Sequence, residues 1–418
     1  MILENLFKNL DPIVSNILNK ALSKKDISVS ETIELLKTNG IDMYATVLVA
    51  DYLRNNTVGN VVTYVINRNI NFTNVCIKRC GFCAFSRDFR EEEGYFLPIE
   101  EIISRVLEAR KFGATEICIQ AGLPPNMDGN LYVDICKKIK ERISDIHIHA
   151  FSPEEILYGA TRLQVSIREY LKMLKDAGLD SIPGTAAEIL DQKLRNKISP
   201  GRISSEDWIK IITNAHDIGI PSTCTMMYGH IESNNHIAKH LETIKNIQKE
   251  THGFSEFVPL SFIHTEAPMY NKSLLENIRS GPDGNEVIRI HAVSRIVLNN
   301  YIKNIQVSWV KEGPKIAQIL LNAGVNDFGG TLINESISTS AGAIYGQLLK
   351  PKKIHSIIRR NGKTPAQRNS IYKIIKKYEN EDKEFEELEL NNVDPEIFGS
   401  YNQLVKLNKF KFSNTSNQ

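Results

Sequence analysis

The sequence predicts an α/β protein: a (β/α)8 TIM-type barrel with an N-terminal helical cap and a C-terminal extension. Three observations predict it. Short apolar runs alternate with amphipathic helical segments about eight times between residues 63 and 332, the pattern of strands and crossover helices in a parallel barrel. Gly113, Gly178, Gly219 and Gly324 each stand between a helical segment and the next run, where a left-handed residue ends a helix. No Gly-x-Gly-x-x-Gly turn follows the first run, which argues against a doubly wound dinucleotide fold.

In chain order, residues 12–55 read as helices. Ser28 with Glu31 makes a capping box ahead of Ile33, Leu35 and Leu36, and Gly40 is expected to stop that helix. The runs 63–72, 116–121, 146–151, 179–183, 222–228, 256–263, 305–310 and 327–332 read as strands. The fourth and eighth are the weakest, so a six-stranded partial barrel is the competing architecture. Helical segments at 99–111, 132–142, 167–176, 205–218, 236–249, 287–301 and 314–322 separate or follow them, with a short one after Asn334. The chain thus divides into a helical region (1–58), the barrel (59–345) and an extension (346–418). The extension opens basic (Lys350, Lys352, Lys353, Arg359, Arg360, Lys363) and turns acidic over 379–389. It reads as a solvated surface segment packing on the barrel, with a frayed, disordered end beyond Lys406.

A chain of 418 residues with 42% hydrophobic and 24% charged residues has a globular composition, and a net charge of +2 exerts no pull toward nucleic acid or membrane. The apolar stretch 41–52 carries charge and is too short to span a bilayer. The start lacks the basic end and apolar core of a signal peptide. Six cysteines, three of them clustered, suit a reducing cytoplasm.

Those three, Cys76, Cys80 and Cys83, form a C-x3-C-x2-C run directly after the first strand, in a βα loop where barrels carry function. Three thiolates can hold three irons of a cubic iron–sulfur cluster and leave the fourth open. An open iron beside a barrel is a place to bind and reductively cleave S-adenosylmethionine. A zinc ribbon would need a second ligand pair, and an electron-transfer ferredoxin a fourth cysteine close by. Cys118, Cys136 and Cys224 are solitary and lie in apolar segments.

Other candidates follow strand by strand. Phe82 and Phe85 offer aromatic faces to an adenine or shield the cluster. Gln120-Ala-Gly-Leu-Pro-Pro125 ends the second strand, and Gly122 lets a ligand approach the backbone or serves a tight turn. His147, His149 and Phe151 share the strand face expected to look into the barrel, with His149 near its mouth. Glu188 can accept from a ribose, and Arg195 and Arg202 can clamp a carboxylate or form surface ion pairs. Cofactor contacts are thus expected from Phe82, Gln120, Gly122, Glu188 and Arg195. The catalytic candidates are His149, Tyr228 and His230. The strand ends at 261–264, 308–311 and 331–336 offer further polar groups to an organic substrate.

From about residue 20 to 375 the chain closely resembles the tyrosine-utilising subunit family of FO synthase, within the radical S-adenosylmethionine superfamily. The marks are Asn67-Arg-Asn-Ile-Asn-Phe-Thr-Asn-Val-Cys76, Cys80-Gly-Phe-Cys-Ala-Phe85, Ile119-Gln-Ala-Gly-Leu-Pro-Pro125, His149-Ala-Phe-Ser-Pro-Glu154, Pro183-Gly-Thr-Ala-Ala-Glu188, Thr225-Met-Met-Tyr-Gly-His230 and Gly329-Gly-Thr-Leu-Ile-Asn-Glu-Ser-Ile-Ser338. The first two are shared with sister enzymes; the Pro183 and Gly329 segments discriminate further. Aminofutalosine synthase of menaquinone biosynthesis is the alternative, but it tends to carry glycines where Thr185, Ala186 and Ala187 stand. Ser199 departs from a cysteine found in many relatives.

The resemblance implies a radical S-adenosylmethionine barrel with one [4Fe-4S] cluster per chain, on Cys76, Cys80 and Cys83. It implies a transferase of coenzyme F(420) biosynthesis that cleaves L-tyrosine and adds its 4-hydroxybenzyl group to 5-amino-6-(D-ribitylamino)uracil. The products would be 5-amino-5-(4-hydroxybenzyl)-6-(D-ribitylimino)-5,6-dihydrouracil, 2-iminoacetate, methionine and 5′-deoxyadenosine. A single cysteine triad implies a separate radical ring-closing subunit, the 7,8-didemethyl-8-hydroxy-5-deazariboflavin synthase. An electron donor such as ferredoxin or flavodoxin is also implied.

Overall fold

The computed structural model describes residues 7–379 and 388–413, and in it the eight runs close into one parallel ring. The first run breaks at Ile66 into β1 (Val61–Val65) and β2 (Asn67–Ile70). β3 (Glu116–Ile119) pairs with β2 and with β4 (His147–Ala150). Bridges His149–Ser181 and Ile182–Ser222 set the fourth run between β4 and β5 (Ser222–Tyr228), which pairs with β6 (Phe254–Ser261). Bridges Phe257–Ile305 and Gln306–Asp327 set the seventh run between β6 and β7 (Asp327–Gly330). β7 returns to β1 through Thr63–Asp327, and Ile333 bridges Arg68. The six-stranded alternative therefore fails.

The thinnest members are the fourth and seventh rather than the fourth and eighth. Pro183 ends the fourth, and a proline cannot donate to a ladder. In the seventh, the Ile305 N–H donates to the Asn326 side chain (Oδ1, 2.9 Å) instead of to a neighbouring strand.

The cap comprises helices Pro12–Leu22, Val29–Lys37 and Gly40–Val58. The Ser28–Glu31 capping box forms, with Ser28 N donating to Glu31 Oε2 at 2.8 Å. Gly40 does not end that helix; it takes φ +52° at the start of the next one, a conformation glycine adopts without steric cost.

The extension is not the surface segment expected. Residues Thr364–Arg368 form β8, which pairs in parallel with β1 from Val61–Thr364 to Tyr64–Gln367. Residues Ile374–Lys377 form β9, antiparallel to it. Pairing of the first run with β3 begins only at Asn67, so β8 lies at the amino end of the barrel. There Arg368 donates to both Asp327 oxygens (2.5 and 3.0 Å) and lies 3.7 Å from Glu256. Glu256 also accepts from Gln306 Nε2 at 2.8 Å and from the Tyr372 hydroxyl. A buried ion network thus floors the barrel.

Nor are residues 407–413 frayed. Phe410 is buried, its carbonyl accepts from Phe96 N at 2.8 Å, and Phe412 N donates to Gly94 O at 2.9 Å. Residues 414–418 and most of the acidic run, 380–387, lie outside the described residues.

One buried histidine gives the fold a testable pH dependence. His240 Nδ1 accepts from Leu190 N (3.1 Å) while Nε2 donates to the Thr225 carbonyl (3.0 Å), so the ring must be neutral with its proton on Nε2. Burial pushes its pKa from 6.5 down to about 3. Between those values the folded chain binds fewer protons than the unfolded one, so stability falls as pH falls. The expected loss is about 2 kcal/mol between pH 7 and pH 5. Glu256, raised by burial to about 7, acts in the opposite sense. The measurement is therefore the difference between wild type and His240→Gln in urea midpoints at the two pH values. A slope shared by both proteins would contradict this role.

Candidate active site

The segment after β2 leaves the barrel and is tied back onto itself. Asn74 Nδ2 donates to Glu93 O (2.9 Å), Tyr95 N donates to Asn74 Oδ1 (2.9 Å), and Thr73 Oγ1 donates to Tyr95 O (2.6 Å). Gly81 N donates to Ile198 O (2.8 Å), and Gly81 O accepts from Met269 N (2.7 Å). A Cβ on Gly81 would stand 2.9 Å from Met269 Cβ, so glycine is required for this seat. The result fixes Cys76, Cys80 and Cys83 at the mouth of one cavity of about 400 Å³.

At that mouth Arg202 Nη1 donates to Cys80 Sγ (3.2 Å) and lies 3.4 Å from Glu188 Oε1. Its guanidinium sits 5.4 Å from the centre of the Phe82 ring, a cation–π contact. Burial raises the thiol pKa of Cys76 and pushes Cys80 up to about 12, against the pull of Arg202. Burial and the neighbouring thiols hold Cys76 and Cys80 against ionisation unless a metal supplies positive charge. Among the described residues no three His, Cys, Asp or Glu side chains converge on a single-ion site; in a cubic cluster each thiolate takes a different iron. Arg202 Nε is buried without a hydrogen bond, 3.6 Å from Glu154 Oε2, so it can still donate to an anionic ligand end. The donor set fits a cluster with one open iron.

Below the mouth the lumen is polar. Cys118, His149, Ser181, Thr223 and Thr225 face it, and the network of Arg368 closes it. His147 Nε2 and His149 Nδ1 each lie 2.7 Å from Ser181 Oγ. Burial lowers His149 to about 4, so its ring is neutral near pH 7.

Residues 70–244 match the radical SAM superfamily, and residues 251–381 match the CofH/MqnC C-terminal region. A 5-amino-6-(D-ribitylamino)uracil–L-tyrosine 4-hydroxyphenyl transferase of Methanocaldococcus jannaschii is 50% identical over 355 residues, 84% of this chain and 98% of that one. The protein of the same name from Methanothermobacter thermautotrophicus is 44% identical over 367 residues, 88% of this chain and 99% of that one. The chain belongs to this transferase family. Two solved structures share the fold at 17% identity. The [FeFe]-hydrogenase maturase HydG has a TM-score of 0.68, covering 88% of this chain and 79% of that one. Methylornithine synthase (PylB) has a TM-score of 0.66, covering 84% and 97%.

Against this family background, the sequence candidates separate into three groups. Cys76, Cys80, Cys83, Phe82, Gln120, Gly122, Glu188 and His149 line the cavity. Gln120 Oε1 accepts from Thr185 Oγ1 at 3.1 Å, tying the second strand to the loop after the fourth.

Arg195 serves the frame, and Gly122 does so while also lining the cavity. A Cβ on Gly122 would lie 2.2 Å from the Val75 carbonyl oxygen, so what approaches its backbone is the cysteine loop itself. The Arg195 guanidinium is consumed by Ala186 O (3.0 Å), Ala187 O (2.6 Å), Ile203 O (2.7 Å) and Glu188 Oε2 (3.0 Å). It thereby holds Ala186 and Glu188 at φ +62° and +38°, conformations that cost energy outside glycine. The arginine at the mouth is Arg202.

Tyr228 and His230 do not reach the cavity. On β5 the inward residues are Thr223, Thr225 and Met227, so strand alternation turns Tyr228 outward, to Glu312 at 3.4 Å. His230 is fully buried between Glu232 (3.3 Å) and the Met227 carbonyl (3.1 Å). Phe151 likewise leaves the lumen face and packs on Tyr132, ring centres 4.4 Å apart.

Proposed function

We propose that this chain is a radical S-adenosylmethionine transferase that cleaves L-tyrosine and adds its 4-hydroxybenzyl group to 5-amino-6-(D-ribitylamino)uracil. The observation that carries this reading is the 50% identity to a transferase of that name over 98% of its length. Cys76, Cys80 and Cys83 would hold one [4Fe-4S] cluster per chain, with S-adenosylmethionine at the mouth beside Phe82, Gln120, Glu188 and Arg202. When bound, cluster and S-adenosylmethionine supply a 5′-deoxyadenosyl radical.

The chain's own residues confine and orient. A primary carbon radical attacks most C–H bonds, so the substrates must be held in contact geometry away from water. The Arg368 floor shuts the lumen from below. Neutral His149 offers one ring nitrogen to the lumen, because Ser181 occupies the other; it suits the polar pyrimidine. The reaction breaks the Cα–Cβ bond of tyrosine and joins the benzylic carbon to carbon 5 of the uracil, releasing 2-iminoacetate.

A second radical enzyme would then close the deazaflavin ring, and a ferredoxin or flavodoxin would supply electrons. No helix among the described residues is long and apolar enough to cross a membrane, and we assign the enzyme to the cytoplasm. The test is an anaerobic substrate exchange on reconstituted protein. Tyrosine with the ribityl-diaminouracil should give adduct and 5′-deoxyadenosine, whereas the enolpyruvyl-benzoate substrate of aminofutalosine synthase should give neither. Turnover of the latter alone would reverse the assignment.

A further inference from the structure

Lys311 stands on the cavity wall at the carboxyl end of the seventh run, beside Ser308, Glu335 and Ser338. Its ammonium makes no hydrogen bond and no ion pair within 4.0 Å among the described residues; desolvation lowers its pKa, against the pull of Glu335 and Glu312. Both carboxyls are committed elsewhere. Glu335 accepts from Ser338 N through both oxygens at 3.0 Å. Glu312 is engaged by Ser261 and by the Tyr228 hydroxyl. Leu260, Ile263, Val310 and Leu332 line the same cavity and give the ammonium little solvation.

An unpaired ammonium in such a place is costly unless a ligand neutralises it. We infer that Lys311 binds the carboxylate of the α-amino-acid substrate, tyrosine under the function proposed above. S-adenosylmethionine carries a carboxylate too, but under the function proposed above its place is at the cysteine mouth, beside Arg202. Lys311 lies on a separate element, the helix Trp309–Leu320 after the seventh run. With the carboxylate anchored there, the amino acid's Cα is tethered and only the benzylic fragment is free to leave.

The experiment uses anaerobic holoenzyme and compares wild type with Lys311→Met and Lys311→Arg. Binding of L-tyrosine, tyramine (which lacks the carboxylate) and S-adenosylmethionine is measured calorimetrically. Loss of a charge-assisted contact should weaken tyrosine binding about 10- to 100-fold in Lys311→Met. Lys311→Arg should recover most of it, and Lys311→Met should no longer prefer tyrosine over tyramine. S-adenosylmethionine binding should stay unchanged. Removing a half-buried, unpaired charge should also leave Lys311→Met at least as resistant to denaturant as wild type, which separates this role from a structural one. Unchanged tyrosine affinity would overturn the inference, as would a loss confined to S-adenosylmethionine. Wild-type protein that binds no tyrosine would instead overturn the functional reading on which it rests.

Discussion

Cys80→Ala is expected to reduce formation of adduct and 5′-deoxyadenosine to background. Of the three thiols, Cys80 is the most enclosed and the one that accepts from Arg202 at 3.2 Å. Its loss removes one of only three thiolates placed at the mouth and leaves the Arg202 guanidinium without its sulfur partner. Two ligands cannot hold a cube with one site-differentiated iron. The expected readouts are a fall in iron and sulfide content and loss of the reduced-cluster resonance that responds to S-adenosylmethionine. The fold should persist, because the loop is also pinned through Asn74, Tyr95 and Gly81. Retained S-adenosylmethionine cleavage would refute the ligand assignment.

Arg368→Ala should produce the largest loss of stability. Arg368 is buried and donates to Asp327 at 2.5 and 3.0 Å, with Glu256 at 3.7 Å. Removing the cation leaves two carboxylates facing each other in the barrel base, together with Thr63 and Tyr372. Breaking one partner of a buried pair costs about 3–5 kcal/mol. The urea midpoint should drop accordingly, and a second change, Asp327→Asn, should recover part of the loss. A drop no larger than that of a surface arginine would show that β8 is not inserted as described.

The two predictions mark what was and was not legible in the sequence. The cysteine triad is local, and its spacing alone carries its chemistry. The eight runs also announce themselves, because aliphatic residues facing the helices repeat along each strand. β8 does not: Thr-Pro-Ala-Gln-Arg has neither alternation nor a β-branched stretch, and its partner β1 lies at the far end of the chain. Its strand character comes from tertiary pairing.

Within the site, Arg195 on the helix Gln192–Ile198 and Arg202 just beyond it look alike in sequence. Only the fold reveals that one guanidinium is saturated by carbonyls while the other reaches Cys80. Tyr228 and His230 attracted notice for their functional groups, yet the alternation through Thr223 and Thr225 already pointed Met227 inward. Lys311 was legible as a strand-end polar group; its lack of a partner was not, since that depends on where Glu312 and Glu335 turn.

The central claim is that this chain cuts tyrosine between Cα and Cβ and passes the benzylic carbon on. The most direct measurement uses reconstituted enzyme, ribityl-diaminouracil and tyrosine labelled with carbon-13 at Cβ, under anaerobic reduction. The account predicts the label bonded to carbon 5 of the uracil product, an unlabelled two-carbon fragment, and 5′-deoxyadenosine formed in step. Label in the two-carbon fragment, or 5′-deoxyadenosine formed while tyrosine stays intact, would contradict it.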